Sequence, residues 1–279
     1  MSGFVYYNGN FDKKENIRIP LNDRSLFFGD GVYDMAIGRG GKIYQSDLHI
    51  ARLLTNIRRL GIKSDLTEQS LFELLEQTVR RAGYDEYTVY FHVTRTKDTR
   101  VHSSRDTESA LMISVNPYKI TPPEGTVKLL SYIDKRYFYC NIKTLNLLPS
   151  VIASTAAENA GCDEALFHRD GIVTECAHSN FFMLKDGKLI GHPDGELILP
   201  GITGINLVNA ANKLGIEVER RAFKLSEVFD CDEALITSTT KFARRVAMLD
   251  GVSIGGKDEA KISALIEYLY LVFCKNMEN

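Results

Sequence analysis

Leu48, Leu53, Leu54, Ile57 and Leu60 recur at helical spacing with polar residues between them, which predicts a helix over about 46–60 with one buried face. Gly61 follows, a residue that readily takes the left-handed conformation ending a helix. A second helix is predicted over 67–82, with Thr67 as its N-cap and Gly83 as its stop. Short apolar or alternating runs predict strands. They fall at 3–8 and 16–19 around Asn8-Gly9-Asn10, and at 32–37, closing through Gly38–Gly41 onto Ile43 and Tyr44. Further strands are predicted at 87–94, 111–116, 127–132, 164–168, 172–174, 181–185 and 188–190. Helices are predicted at 148–160, just after residue 202, and at 258–275. Such a mixture belongs to an α/β (α+β) chain.

Three of the seven prolines, Pro117, Pro122 and Pro123, cluster in one stretch. Proline clusters make semi-rigid connectors. The expected division is therefore 1–116, a linker at 117–124, and 125–279. The 279 residues suffice for two modest domains. A net charge of −2 leaves no basic footprint for nucleic acid. No apolar run reaches membrane-spanning length, and the first residues lack the pattern of a secretory leader. The five cysteines are scattered, without a C-x-x-C pair, so neither a disulfide framework nor a metal site is expected. A reducing cytoplasm is the location expected from these bounds.

Candidate chemistry centres on residues 140–182. Lys143 lies among Ile142, Leu145, Leu147 and Leu148, and Glu175 follows an alternating run. A lysine in apolar surroundings can be neutral and nucleophilic; a lysine beside leucines also ordinarily snorkels to solvent. Between the strands at 87–94 and 111–116 runs a long polar loop with Arg95, Lys97, Arg100, His102 and Arg105. Long loops inside domains often carry function, and this one suits an anionic group or is a solvated basic surface. The glycine-rich GRGGK lacks the phosphate-loop spacing and reads as a hairpin turn.

The run KTLNLL at Lys143 and the run VTECAHSNFF at Glu175, in this order and spacing, resemble the signature of the fold-type IV pyridoxal-phosphate enzymes. DRSLFFGDGVYD, HIARL, LPGIT and ITSTT resemble further motifs of that family. The resemblance implies a two-domain architecture: a small α/β N-terminal domain and a larger C-terminal domain with a β-barrel-like core. It implies pyridoxal 5'-phosphate as cofactor, carried by Lys143 as a Schiff base, with Glu175 at the pyridine nitrogen. Arg52, Ile202, Thr203, Ser238 and Thr239 would hold the phosphate, and Tyr33 would border the active site. Arg100 and His102 are similar to the pair with which D-amino acid aminotransferases hold the substrate carboxylate. A D-amino acid aminotransferase working on an amino acid and a 2-oxo acid as a homodimer is therefore the expected activity. The alternatives are a branched-chain L-aminotransferase, 4-amino-4-deoxychorismate lyase, or a cofactor-binding protein without turnover. Departures from the pattern touch substrate range: His178 after the glutamate, Gly204 where arginine is common, and Met35 or Ile37 where some relatives carry lysine.

Overall fold

The computed structural model describes residues 3–96, 100–104 and 107–278. They form two compact units. One runs to Ile120 and takes in Ile142–Asn146 and the chain end from Asn276; the other holds Thr121–Asn141 and Leu147–Lys275.

In the first unit β1 (Phe4–Tyr7) and β2 (Asn10–Lys13) form a hairpin through Asn8 and Gly9. Both turn residues have positive φ, 43° and 97°. That geometry matches the twist of the paired strands and returns the chain at once. The second strand therefore pairs from Asn10, and the strand expected at 16–19 does not form. Then come α1 (Ser25–Phe28), β3 (Gly31–Arg39), β4 (Lys42–Ile43), α2 (Ser46–Arg59), α3 (Glu68–Ala82), β5 (Glu86–Thr96) and β6 (Glu108–Pro117). The helix ends follow the expected punctuation. Thr67 Oγ1 accepts from the Ser70 N–H at 3.1 Å, and Gly83 closes α3 at φ 68°.

The six strands make an antiparallel sheet in the order β2-β1-β6-β5-β3-β4. Side chains alternate across it. Val32, Val89, Phe91, Val93, Ile113 and Val115 pack with Leu53, Ile57, Leu71 and Leu75 of α2 and α3. The opposite face carries Tyr33, Met35, Tyr90 and His92, which the register pairs as Tyr33 with His92 and Met35 with Tyr90.

The second unit contains β7 (Thr126–Ile133), α4 (Leu148–Asn159), β8 (Glu164–Arg169), β9 (Ile172–Cys176), β10 (Asn180–Lys185), β11 (Lys188–Gly191), α5 (Ile202–Lys213), β12 (Val218–Arg220), α6 (Leu225–Val228), β13 (Glu233–Ser238), β14 (Phe242–Leu249), β15 (Val252–Ser253) and α7 (Glu259–Glu278). Its sheet runs β12-β11-β10-β13-β14-β7-β8-β9, with β15 beside β14. β7 and β8 are parallel because α4 carries the chain back between them. β9 lies far from β10 in that order, yet the Cys176 N–H donates to Ser179 O at 2.8 Å and the chain turns directly from one into the other. The sheet is therefore curled into a half-barrel. β10 is buried on both faces. Phe181 and Met183 pack with Val127, Leu166 and Ile236, while Phe182 and Leu184 pack under Leu207 of α5 and Leu265 of α7. Among the described residues, no helix is long and apolar enough to cross a membrane.

Candidate active site

Lys143 sits on the short segment Ile142–Asn146, which packs within the first unit. Three hydrogen bonds fasten it to the start of β3 and to Gly29 before it. The Tyr33 N–H donates to Lys143 O at 2.9 Å, and the Leu145 N–H donates to Gly31 O at 3.1 Å. Asn146 Nδ2 donates to Gly29 O at 3.0 Å, and Thr144 bridges Val32. Ile142 is buried in the core of this unit. The apolar neighbours of Lys143 thus anchor the backbone, while its side chain stays half-buried, with Nζ 4.4 Å from the centroid of the Tyr33 ring. An ammonium over an aromatic face is electrostatically favoured.

One residue after Tyr33, the chain points Asp34 to the helix side, where it is fully buried. Arg52 grips it in a fork, Nε to Oδ2 and Nη2 to Oδ1, both 2.8 Å. His49 Nδ1 lies 2.7 Å from Oδ1. His49 and Arg52 are three positions apart on α2 and so share one helix face. Burial pushes the Asp34 carboxyl up, but Arg52 and His49 outweigh it and hold the group well below the usual carboxylate range. Burial pushes His49 down against the pull of Asp34. Arg52 is therefore no loose surface arginine: its guanidinium is oriented by a buried carboxylate.

On the other face, Tyr33 stacks on Tyr90, with centroids 5.5 Å apart. Tyr90 Oη lies 3.1 Å from His92 Nδ1. Burial lowers His92 to about 4, so the ring is neutral near pH 7. A depressed histidine binds fewer protons folded than unfolded, so stability is lost as pH falls from about 6.5 to about 4. We predict that His92→Gln flattens this acid loss by up to about 3 kcal/mol. Denaturant midpoints at pH 7.5 and 4.5 check this; an unchanged pH dependence in the variant contradicts it.

In the second unit Glu175 is the penultimate residue of β9, 5 % exposed. Its carboxylate is saturated with donors. Arg136 Nη1 donates at 2.6 Å, Asn180 Nδ2 at 2.9 Å, and the Leu199 N–H at 3.1 and 3.2 Å to the two oxygens. Burial pushes the Glu175 carboxyl up to about 7, with Arg136 and the Leu199 N–H opposing. Arg136 is itself fixed by Asp134, which also binds Arg169. Burial lowers Arg136, and Asp134 and Glu175 more than reverse it, so the guanidinium stays charged.

Asn180 gathers the rest of this half. Its Nδ2 also donates to Leu199 O at 2.8 Å. Its Oδ1 lies where a side chain at residue 201 would collide, so glycine is required at Gly201. Gly201 is the N-cap of α5, whose first turn presents the amides of Ile202 and Thr203. Such amides lack partners within their helix and favour anions. Across the sheet Asn180 pairs with Thr237, one residue before Ser238. The ITSTT run is strand through Ser238; Thr239 and Thr240 lie in the turn into β14. Glu175, the start of α5 and the Ser238–Thr239 corner thus converge on one asparagine.

Arg100 and His102 are both exposed in the first unit. The His102 ring lies 5.4 Å from that of Phe28, and the Arg100 guanidinium lies 5.9 Å from it. Lys97 and Arg105, read as part of the same basic loop, lie outside the described residues. His178 is exposed; its N–H donates to Glu164 Oε1 at 2.7 Å, and its ring nitrogen lies 3.2 Å from the same oxygen. Sequence reading missed Asp34, His49, Arg136 and Asn180. The signal for Asn180 was present, because it lies inside the run that identifies Glu175. Arg136 reaches Glu175 across 39 positions, which no local pattern shows.

Comparison with known proteins bears on what these groups do. The family described as amino-transferase class IV matches residues 31–249. A D-alanine aminotransferase of Bacillus licheniformis is 32% identical over 255 residues, covering 90% of each chain. The branched-chain aminotransferase of Thermoproteus uzoniensis superposes with a TM-score of 0.91 at 21% identity, over 98% of this chain and 95% of that one. The branched-chain amino acid aminotransferase of Escherichia coli gives 0.87 at 18% identity, over 97% and 94%.

Proposed function

The chain belongs to the class IV aminotransferases, and from that membership we propose that it moves an amino group from a D-amino acid, D-alanine foremost, to a 2-oxo acid. The cofactor of this reading is pyridoxal 5'-phosphate. The donor set fits such a group: a half-buried amine at Lys143, a buried carboxylate at Glu175, and beside it an α5 start with Gly201 held against Asn180. When bound, the cofactor supplies an aldehyde that combines with amines and a ring that accepts the electron pair of the substrate Cα–H bond.

Each unit contributes its own groups to this reading. Lys143 would carry the cofactor. With the cofactor and substrate bound, the Lys143 amine would serve as the base and acid for the substrate Cα proton. Tyr33 borders the pocket and supports that amine with its ring face. Glu175 keeps a proton at the ring nitrogen, and Arg136 and Asn180 hold its carboxylate for the task. In the first unit Arg52, set by Asp34, would offer a phosphate dianion its planar guanidinium; in the second, the Ile202 and Thr203 amides and the Ser238 and Thr239 hydroxyls would be the phosphate donors. Arg100 and His102 hold the substrate carboxylate and thereby select the D-isomer. His178, exposed beside Glu164, would meet the substrate.

The observation that carries the D-amino acid reading is the similarity to D-alanine aminotransferases at 32% identity over most of the chain, together with the Arg100/His102 pair. Replacing both with alanine should raise the KM for D-alanine about 10- to 100-fold, the scale of a charge-assisted contact, with a smaller change in kcat. Steady-state kinetics with 2-oxoglutarate as acceptor measure it. An unchanged KM rejects the pair as the carboxylate site. Pyruvate released from 4-amino-4-deoxychorismate without any acceptor would move the chain to the lyase branch.

The active form in this reading is a homodimer. Leu148, Val151 and Ile152 of α4 and Tyr137, Phe138 and Tyr139 expose apolar surface that a second copy would cover. A sedimentation mass of one chain at working concentration contradicts it.

A further inference from the structure

Arg24 is 3 % exposed, and its donors go to the backbone of the loop that bears Arg100 and His102. Nη1 donates to Val101 O at 2.6 Å and Nη2 to His102 O at 3.2 Å. Nε donates to Asp30 Oδ2 at 2.8 Å, and Asp30 is held from its other side by Arg95. The same guanidinium lies 4.6 Å from the Phe28 ring, the ring that His102 and Arg100 also approach. The two loop side chains are exposed, so their own packing does not fix where they point. Their backbone does, and a buried cation holds it.

We propose that Arg24 is a positioning residue for substrate selection: it latches the carbonyls of Val101 and His102, and so sets the geometry with which Arg100 and His102 meet a substrate carboxylate. This rests on the reading of Arg100 and His102 given above. Arginine suits the role because one planar fork serves Asp30 and both carbonyls at once; a lysine ammonium on a flexible stem cannot. Charge-assisted hydrogen bonds from a buried donor are stronger than neutral ones, so the latch outlasts thermal motion of an otherwise solvated loop. Arg24 touches neither substrate nor reacting atoms in this account.

The test uses the holoenzyme with Arg24→Met and Arg24→Lys, each alone and combined with the Arg100→Ala/His102→Ala pair. Arg24→Met should raise the KM for D-alanine about 10- to 100-fold with kcat within about threefold. Arg24→Lys, which can retain the contact with Asp30, should fall between it and the parent, and carries the test alone if the methionine variant does not fold. On top of the double-alanine protein, Arg24→Met should add less than about twofold, since residues acting through one contact are not additive. The same rise in KM with and without the pair overturns the latch, as does a fall in kcat at constant KM. Failure of the double-alanine protein itself to raise KM rejects the pair and the latch together; a normal loss there with no effect at Arg24 rejects the latch alone.

Discussion

Replacing Lys143 with alanine is expected to lower transamination by at least about 10⁴-fold. General acid–base catalysis by a single side chain contributes about 10²–10⁴, and here the same amine also carries the cofactor. The variant should still fold. The bonds that fasten this segment use backbone and neighbours: Lys143 O accepts from the Tyr33 N–H, the Leu145 N–H reaches Gly31 O, and Asn146 reaches Gly29 O. Alanine leaves all of them intact, and the Tyr33 ring loses only a cation on its face. Activity with D-alanine and 2-oxoglutarate, with thermal unfolding as a control, separates chemistry from stability. A folded variant with full turnover contradicts the assignment of Lys143. Borohydride treatment of the parent protein gives a second view, because the cofactor mass should become fixed to the peptide containing Lys143.

Glu175→Gln is expected to cut kcat by about 10²–10³, the scale seen when one preorganised electrostatic group is removed from an active site. The amide has the shape of the carboxylate but no charge. Its one oxygen can still accept from the Leu199 N–H and Arg136, and Arg136 keeps its contacts with Asp134, while its NH2 leaves Asn180 Nδ2 with Leu199 O as its remaining acceptor. What is lost is the negative charge that holds a proton at a ring nitrogen. Burial has already pushed the Glu175 carboxyl up to about 7, so its basicity comes from seclusion, and Arg136 and Asn180 restrain its position. Single-turnover rates with D-alanine check the change; a kcat within about threefold of the parent would show that Glu175 serves the fold and not the reaction.

Local chemistry made much of this molecule readable. The helices at Ser46–Arg59 and Glu68–Ala82 were legible because apolar spacing, a threonine cap and closing glycines all agreed. The strand expected at 16–19 was not, because Asn8 and Gly9 take a two-residue turn that spends the pairing on Asn10–Lys13. Ile236–Ser238 belong to a strand because Thr237 and Ile236 pair with Asn180 and Phe181 and Ser238 pairs with Phe242, partners that no local pattern shows. In the site, motif spacing exposed Lys143 and Glu175. Their partners stayed hidden because they arise from the fold: the reach of Arg136 to Glu175, the burial of Asp34 between His49 and Arg52, and the register that sets His92 beside Tyr33. That Ile142–Asn146 packs with the residues before Ile120 was equally out of reach, since the chain returns to them only after β7.

The most direct test of the central claim is a half-reaction on the purified, cofactor-loaded protein, with D-alanine and L-leucine added separately and the visible absorbance followed. Rapid bleaching by D-alanine, with L-leucine slower by at least about 10²-fold, is the predicted result, since a carboxylate held in the wrong place forfeits contacts worth about that factor. Bleaching by L-leucine with D-alanine inert would contradict the account, leaving Arg100 and His102 as basic surface and the chain among enzymes of the other hand.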